Sequence, residues 1–152
     1  LRDEKNLLLL KKQEAIVRSF DSKSSFYSLD IARKLMNEYL IVNPTDSRAL
    51  DLLGFFEYEF WNLKEDNFHL DNGINFFEKI VNLDKSETEP IERKRAYANI
   101  AEGYKRKQNY KIALDYLNKA ENIEDFTNKS LEEFINRTKQ HCLKMYSTEN
   151  EA

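Results

Sequence analysis

Cysteine occurs once in these 152 residues, at Cys142, so no disulfide can form within the chain and packing alone must hold it. A lone cysteine suits a reducing compartment without excluding any other. Proline occurs twice and glycine three times, which leaves little material for tight turns and favours long helices. Long apolar runs are missing too. The longest, Leu7 to Leu10, is far short of the roughly 20 residues that a membrane-spanning helix needs. Nor is there an excess of positive charge: a net charge of −3 argues against general nucleic-acid binding, though not against a local basic patch.

What the chain does contain is charge and apolar residues in helical alternation, at 34% and 41% of positions, an all-α composition. The periodicity predicts seven helices near 3–19, 28–42, 47–63, 69–83, 90–107, 110–123 and 131–146. Pro44 stops one helix and Asp46 is placed to cap the next, while Pro90 suits a first helical turn. Ser130 with Glu133 reads as a capping box before the last helix, and the tail 147–152 reads as flexible.

Three segments share one rhythm: IARKLMNEYLIV (31–42), NGINFFEKIVNL (72–83) and IALDYLNKAENI (112–123). Ala32, Gly73 and Ala113 recur at steps of 41 and 40, and the same register holds Met36, Phe77 and Leu117, then Tyr39, Ile80 and Ala120, then Val42, Leu83 and Ile123. A period of this size predicts stacked helical hairpins, with small residues where two helices cross.

The segment 96–123 carries Tyr97, Ile100, Ala101, Tyr104, Tyr110, Ala113, Leu117 and Ala120. On these positions it resembles the tetratricopeptide repeat family. The middle unit matches through Leu50, Leu53, Gly54, Gly73, Phe77 and Ile80, and the first mainly through Ala32, Met36, Tyr39 and Pro44. The resemblance implies a short right-handed α-solenoid: one domain over 1–146, with units near 3–44, 47–85 and 90–125 and a capping helix at 131–146. A family repeat has about 34 residues. The longer spacing here places one insertion at the middle hairpin turn, in WNLKEDNFHLDN, and another between units, in DKSETEPI.

In the resembled family the first helix of each hairpin lines a concave groove for a partner peptide. Carried over, the resemblance assigns Arg48, Asp51, Phe55, Tyr58 and Glu59 in the middle unit, and Arg95, Ala98, Asn99, Glu102, Lys105 and Arg106 in the third. Phe55 and Tyr58 lie off the Leu50, Leu53, Gly54 stripe, so both are expected to face the groove, and replacing either should weaken binding without unfolding the domain. Asp51 and Leu52 stand where a carboxylate clamp would need polar or basic groups, so recognition of a chaperone tail is not implied. Phe60, Trp61 and Phe68 either close the tip of the hairpin or form a second contact patch.

Catalysis finds no constellation. His69 and His141 are far apart, and neighbours such as His141 and Cys142 diverge by about 100° on a helix. No spacing matches a metal site or a phosphate-cradling loop, so no catalytic residue, metal or cofactor is expected. The expected activity is that of a non-catalytic interaction module, a scaffold or adaptor whose partner is a peptide or helical segment of another protein. Two alternatives stay open: self-association through LLLLKKQEAIV, and RNA stacking by Tyr97, Tyr104 and Tyr110 between Arg93-Lys94-Arg95 and Lys105-Arg106-Lys107. The opening at Leu1 reads as an excerpt of a longer protein or a processed product, leaving open a cytoplasmic domain or one tethered by an upstream anchor.

Overall fold

The computed structural model describes residues 26–151, and the described part is all-helical. Six helices follow one another: α1 (Phe26–Val42), α2 (Ser47–Lys64), α3 (Asn67–Val81), α4 (Pro90–Arg106), α5 (Tyr110–Glu121) and α6 (Lys129–Glu151). The helix expected near 3–19, with the LLLLKKQEAIV face, lies outside the described residues. Among the described residues no helix is long and apolar enough to cross a membrane.

Local chemistry sets the boundaries. Asp46 accepts from the backbone N–H groups of Arg48 and Ala49, satisfying donors that the first turn of α2 leaves open, and Tyr39 hydroxyl donates to its other oxygen. Pro90 opens α4, as expected. The last helix starts differently from the sequence expectation. Asn128, not Ser130, accepts from the N–H of Leu131, so the helix begins two residues earlier and Ser130 lies within it. Its far end runs on through Glu151, so residues 147–151, expected as part of a flexible tail, continue the helix.

The middle insertion also behaves differently. Gly54 and Gly73 are 19 residues apart where Ala101 and Ala113 are 12 apart, yet only Glu65 and Asp66 separate α2 from α3. The added residues extend both helices instead of enlarging the turn. Glu65 makes this possible by adopting a left-handed conformation (φ 55°) and closing α2 through its N–H to Trp61 carbonyl. The second insertion does fall in a connection, between α3 and α4.

Each helix packs on its neighbours in sequence, and α4 also reaches α2 and α6. The apolar core divides accordingly. Leu29, Ala32, Met36, Leu53, Phe56 and Phe60 join α1 to α2; Leu50, Tyr58, Ile74, Phe77 and Ile100 join α2, α3 and α4; Ala101, Ala113, Leu117, Ile135 and Cys142 join α4, α5 and α6. Two of the four repeat columns are fully buried, the one with Ala32, Gly73 and Ala113 and the one with Met36, Phe77 and Leu117. The fourth is not core, since Val42 is exposed and Leu83 and Ile123 are half-buried. Gly54 and Gly73 mark a close crossing of α2 and α3: a Cβ on Gly54 would lie 2.5 Å from Phe77 Cζ, and one on Gly73 would lie 2.5 Å from Tyr58 Cε1.

Candidate groove between the second and fourth helices

Three contacts align α2 with α4. Ser47 hydroxyl donates to Glu92 at their N-terminal ends, Tyr58 hydroxyl donates to Asn99 carbonyl at 2.6 Å near the middle, and Arg106 Nη1 donates to Asn62 Oδ1 at 3.4 Å near their C-terminal ends. The sequence separations are 45, 41 and 44, so the two helices run side by side in one direction and in register. The sequence-assigned stripes, Arg48, Asp51, Phe55 and Glu59 on α2 and Arg95, Asn99, Glu102 and Arg106 on α4, therefore lie on adjacent helices.

Not all of these side chains are available. Tyr58 is 3% exposed, contrary to the expectation that it faces the groove. Its ring packs on Phe77, with centroids 5.4 Å apart, in a slot that Gly73 and Gly103 leave open, since a Cβ on either would run into it. Burial pushes the phenol far above its ordinary range, so Tyr58 stays neutral. Phe60, expected as part of a second patch, is fully buried, stacked on His69 and covered by the Arg33 guanidinium 4.4 Å from its centroid. Trp61 closes the hairpin tip by donating from its indole to Asn67 Oδ1 at 3.2 Å, while Phe68 points outward and is exposed.

The C-terminal half of the groove is self-neutralised. Glu102, nearly buried, receives Arg106 Nε at 3.0 Å and Lys105 Nζ at 3.0 Å, and Arg106 also lies over the rings of Tyr58 and Trp61. Ala98 and Asn99 are buried, and Asn99 Nδ2 has no hydrogen-bond partner among the described residues.

The N-terminal half is open. A cleft of about 510 Å³ lies between α2 and α4, with Leu52, Ile80 and Ile91 as its apolar lining and Arg48, Asp51, Glu92 and Arg95 around them. Glu92 is occupied, by Ser47 hydroxyl and by the backbone N–H of Glu89. Among the described residues the side chains of Arg48, Asp51 and Arg95 make no hydrogen bond or ion pair. Phe55, one turn beyond Asp51, is 40% exposed and touches Phe77 edge-on. Glu59 is exposed one turn further. Ser47, Ile80, Ile91 and Glu92 were not assigned from sequence. Ser47 and Glu92 were readable as first-turn residues, but nothing local marks Ile80, on α3, as a wall of this cleft.

Desolvation chiefly, with a smaller contribution from Glu92, lifts the Asp51 carboxyl from 3.8 to about 6 against the opposing fields of Arg95 and Arg48. An acid whose folded pKa is raised holds its proton longer in the folded state, so stability falls as pH rises from about 4 to 6 and is level above that window. Asp51→Asn is expected to raise the urea midpoint at pH 7 by an amount worth about 1–2 kcal/mol, with the advantage gone at pH 4. Urea unfolding at the two pH values checks it; an equal or lower midpoint at pH 7 would contradict the desolvation account.

Two charged or titratable side chains outside the groove have structural roles. Lys94, in the middle of the first basic cluster, is fully buried and donates to the carbonyls of Ile123 at 3.2 Å and Asp125 at 3.1 Å, with Glu132 Oε1 at 2.5 Å. His69 Nδ1 lies 2.8 Å from the buried Glu57, whose other oxygen is 3.5 Å from Arg33. No protein-family model matches the chain, and no curated protein is similar to it.

Proposed function

We propose that this chain is a non-catalytic interaction module, a tetratricopeptide-like stack of helical hairpins that holds a segment of a partner protein in the groove between α2 and α4. The single observation that carries the reading is the in-register, parallel alignment of those two helices around an open cleft with an exposed aromatic and unbonded charges. Two like helices separated by an intervening one are the elementary step of a helical-hairpin stack. A preformed groove binds with little ordering cost, so a few contacts suffice for affinity.

The RNA alternative loses its materials. Lys94 is internal, Lys107 pairs with Asp71 at 2.5 Å, Arg93 donates to Thr88 carbonyl, and Tyr104 stacks on Tyr116 within the fold. Rings and cations engaged within the chain in this way weigh against a stacking platform.

Phe55 is the groove's aromatic anchor. Affinity capture from extract, with the unaltered domain beside a folded Phe55→Ala, Arg48→Glu variant, is expected to retain one partner on the first and lose it on the second. Truncating a central anchor of this kind typically costs about 2 kcal/mol or more, some 30-fold in Kd. A Leu63→Ser, Phe68→Ser variant, which alters the exposed hairpin tip, serves as the control. Loss of the partner from that control alone would move the contact surface to the tip.

A further inference from the structure

Resting on the groove reading, we infer that the cleft around Asp51 is a subsite for a basic side chain, lysine or arginine, carried by the bound partner segment. Among the described residues the Asp51 side chain accepts no hydrogen bond and forms no ion pair, unlike the other groove carboxylates beside it, Glu92 and Glu102. Glu102 already receives Arg106 and Lys105, and Glu92 receives Ser47 and the N–H of Glu89. Asp51 is half-buried beside an apolar wall with no hydrogen bond, and a ligand ammonium or guanidinium supplies donors and the opposite charge together.

The shape of the cleft agrees with its charge. Leu52, Ile80 and Ile91 form an apolar channel beside Asp51, suited to the methylene stem of lysine or arginine. The lining carries three carboxylates, Asp51, Glu89 and Glu92, against two guanidinium groups, Arg48 and Arg95. Those two arginines influence Asp51 through space without bonding to it, so they leave its oxygens open to a donor while favouring acceptors elsewhere on the segment. Phe55 lies four residues on along α2, a rise of about 6 Å, which an extended peptide covers in about two residues. The fitting segment is therefore a basic residue with an apolar one two positions away.

Competition by protons gives a signature that mere packing lacks. The cation binds the ionised carboxylate, and desolvation holds that carboxyl near 6, so affinity is level above neutral pH and about tenfold weaker at pH 5. Arg48, Arg95, Glu89 and Glu92 are the charged groups that share the cleft with Asp51.

The test uses a displayed library of random twelve-residue peptides panned against the domain at pH 7.5, with Kd of the selected peptides read by fluorescence polarisation. Selected peptides are expected to carry lysine or arginine next but one to an apolar residue. Replacing that basic residue by norleucine, or using Asp51→Asn, should weaken binding at least tenfold; the unaltered pair should lose about tenfold from pH 7.5 to pH 5. The pH measurement needs no variant, so a folding defect in Asp51→Asn cannot imitate the result. Peptides that require Phe55 yet bind Asp51→Asn unchanged, or select acidic residues lost with Arg48→Ala, would overturn the subsite and leave the groove standing. Peptides indifferent to Phe55→Ala, or no peptides at all, would overturn the groove reading and the subsite with it.

Discussion

Tyr58→Ala is expected to destabilise the fold by about 3–5 kcal/mol, near the top of the range for an aromatic residue truncated in a core. The size follows from the slot. Tyr58 is 3% exposed, leans on Phe77 and Ile74, and fills space that Gly73 on α3 and Gly103 on α4 leave for it. Two glycine backbones cannot collapse inward to fill the void, and Tyr58 is the residue through which α2, α3 and α4 meet. Tyr58→Phe should cost only about 1 kcal/mol, the worth of the hydrogen bond to Asn99 carbonyl. A double-mutant cycle isolates the mechanism. Gly73→Ala clashes with the Tyr58 ring in the unaltered protein, but in the Tyr58→Ala background it should cost far less, because only the 3.1 Å approach to the Gly54 carbonyl oxygen remains to offset the roughly 1 kcal/mol of helix propensity that alanine gains over glycine. Urea unfolding followed by circular dichroism measures all four species. Additive effects would mean that the ring and the glycine do not share the slot.

The second large effect is expected at Lys94. Its ammonium is fully buried in α4, where it ties down the connection between α5 and α6 through two backbone carbonyls, pairs with Glu132 on α6 and lies 4.2 Å from the Phe126 ring centroid. Lys94→Ala removes all of these at once and leaves a cavity where the stem ran, at a cost of about 3–5 kcal/mol. Lys94→Met keeps the stem and loses the charge; Glu132 is 29% exposed and can turn to water, so about 2 kcal/mol is expected there. The loss should be local before it is global. Hydrogen exchange in α6 is expected to accelerate in Lys94→Met while exchange in α2 holds, because the lysine joins α6 to the rest and touches nothing on α2. Uniform acceleration along the chain would contradict a local clasp and indicate a cooperative unit that includes α6.

Both effects concern residues that the sequence presents as surface, and the reason is the same for each. Tyr58 follows Gly54 by four residues and Leu50 by eight, so it continues one edge of the Leu50, Leu53, Gly54 stripe, and the groove assignment ends that stripe at Gly54 and treats it as the helix's single buried face. Yet α2 has neighbours on two sides: Leu53, Phe56 and Phe60 serve α1, while Leu50 and Tyr58 serve α3 and α4. An inner helix of this arrangement needs two apolar faces, and the period of one stripe does not show which residues outside it form the second. Lys94 sits between two arginines in what reads as a basic cluster. Its burial depends on carbonyls 29 and 31 residues away, which no local pattern reveals.

The chain's own composition and periodicity determined a good deal. Few glycines and prolines, helical spacing and the cap at Asp46 were enough for an all-α fold and for the starts of all six described helices within two residues. The columns headed by Ala32 and Met36 identified core positions in all three units, because residues at helical crossings are constrained by local spacing and size. Tertiary structure alone decided where the inserted residues of the middle hairpin went, since helix extension and a longer turn fit the same letters until α2 and α3 pack along their length. It also decided which polar groups on the groove were spent on one another. Glu102, Lys105 and Arg106 are close in sequence and satisfy themselves, whereas Arg48, Asp51 and Arg95 come together only when α4 lies beside α2. A site assembled between helices more than 40 residues apart is specified by packing, and its chemistry becomes legible when packing brings the side chains together.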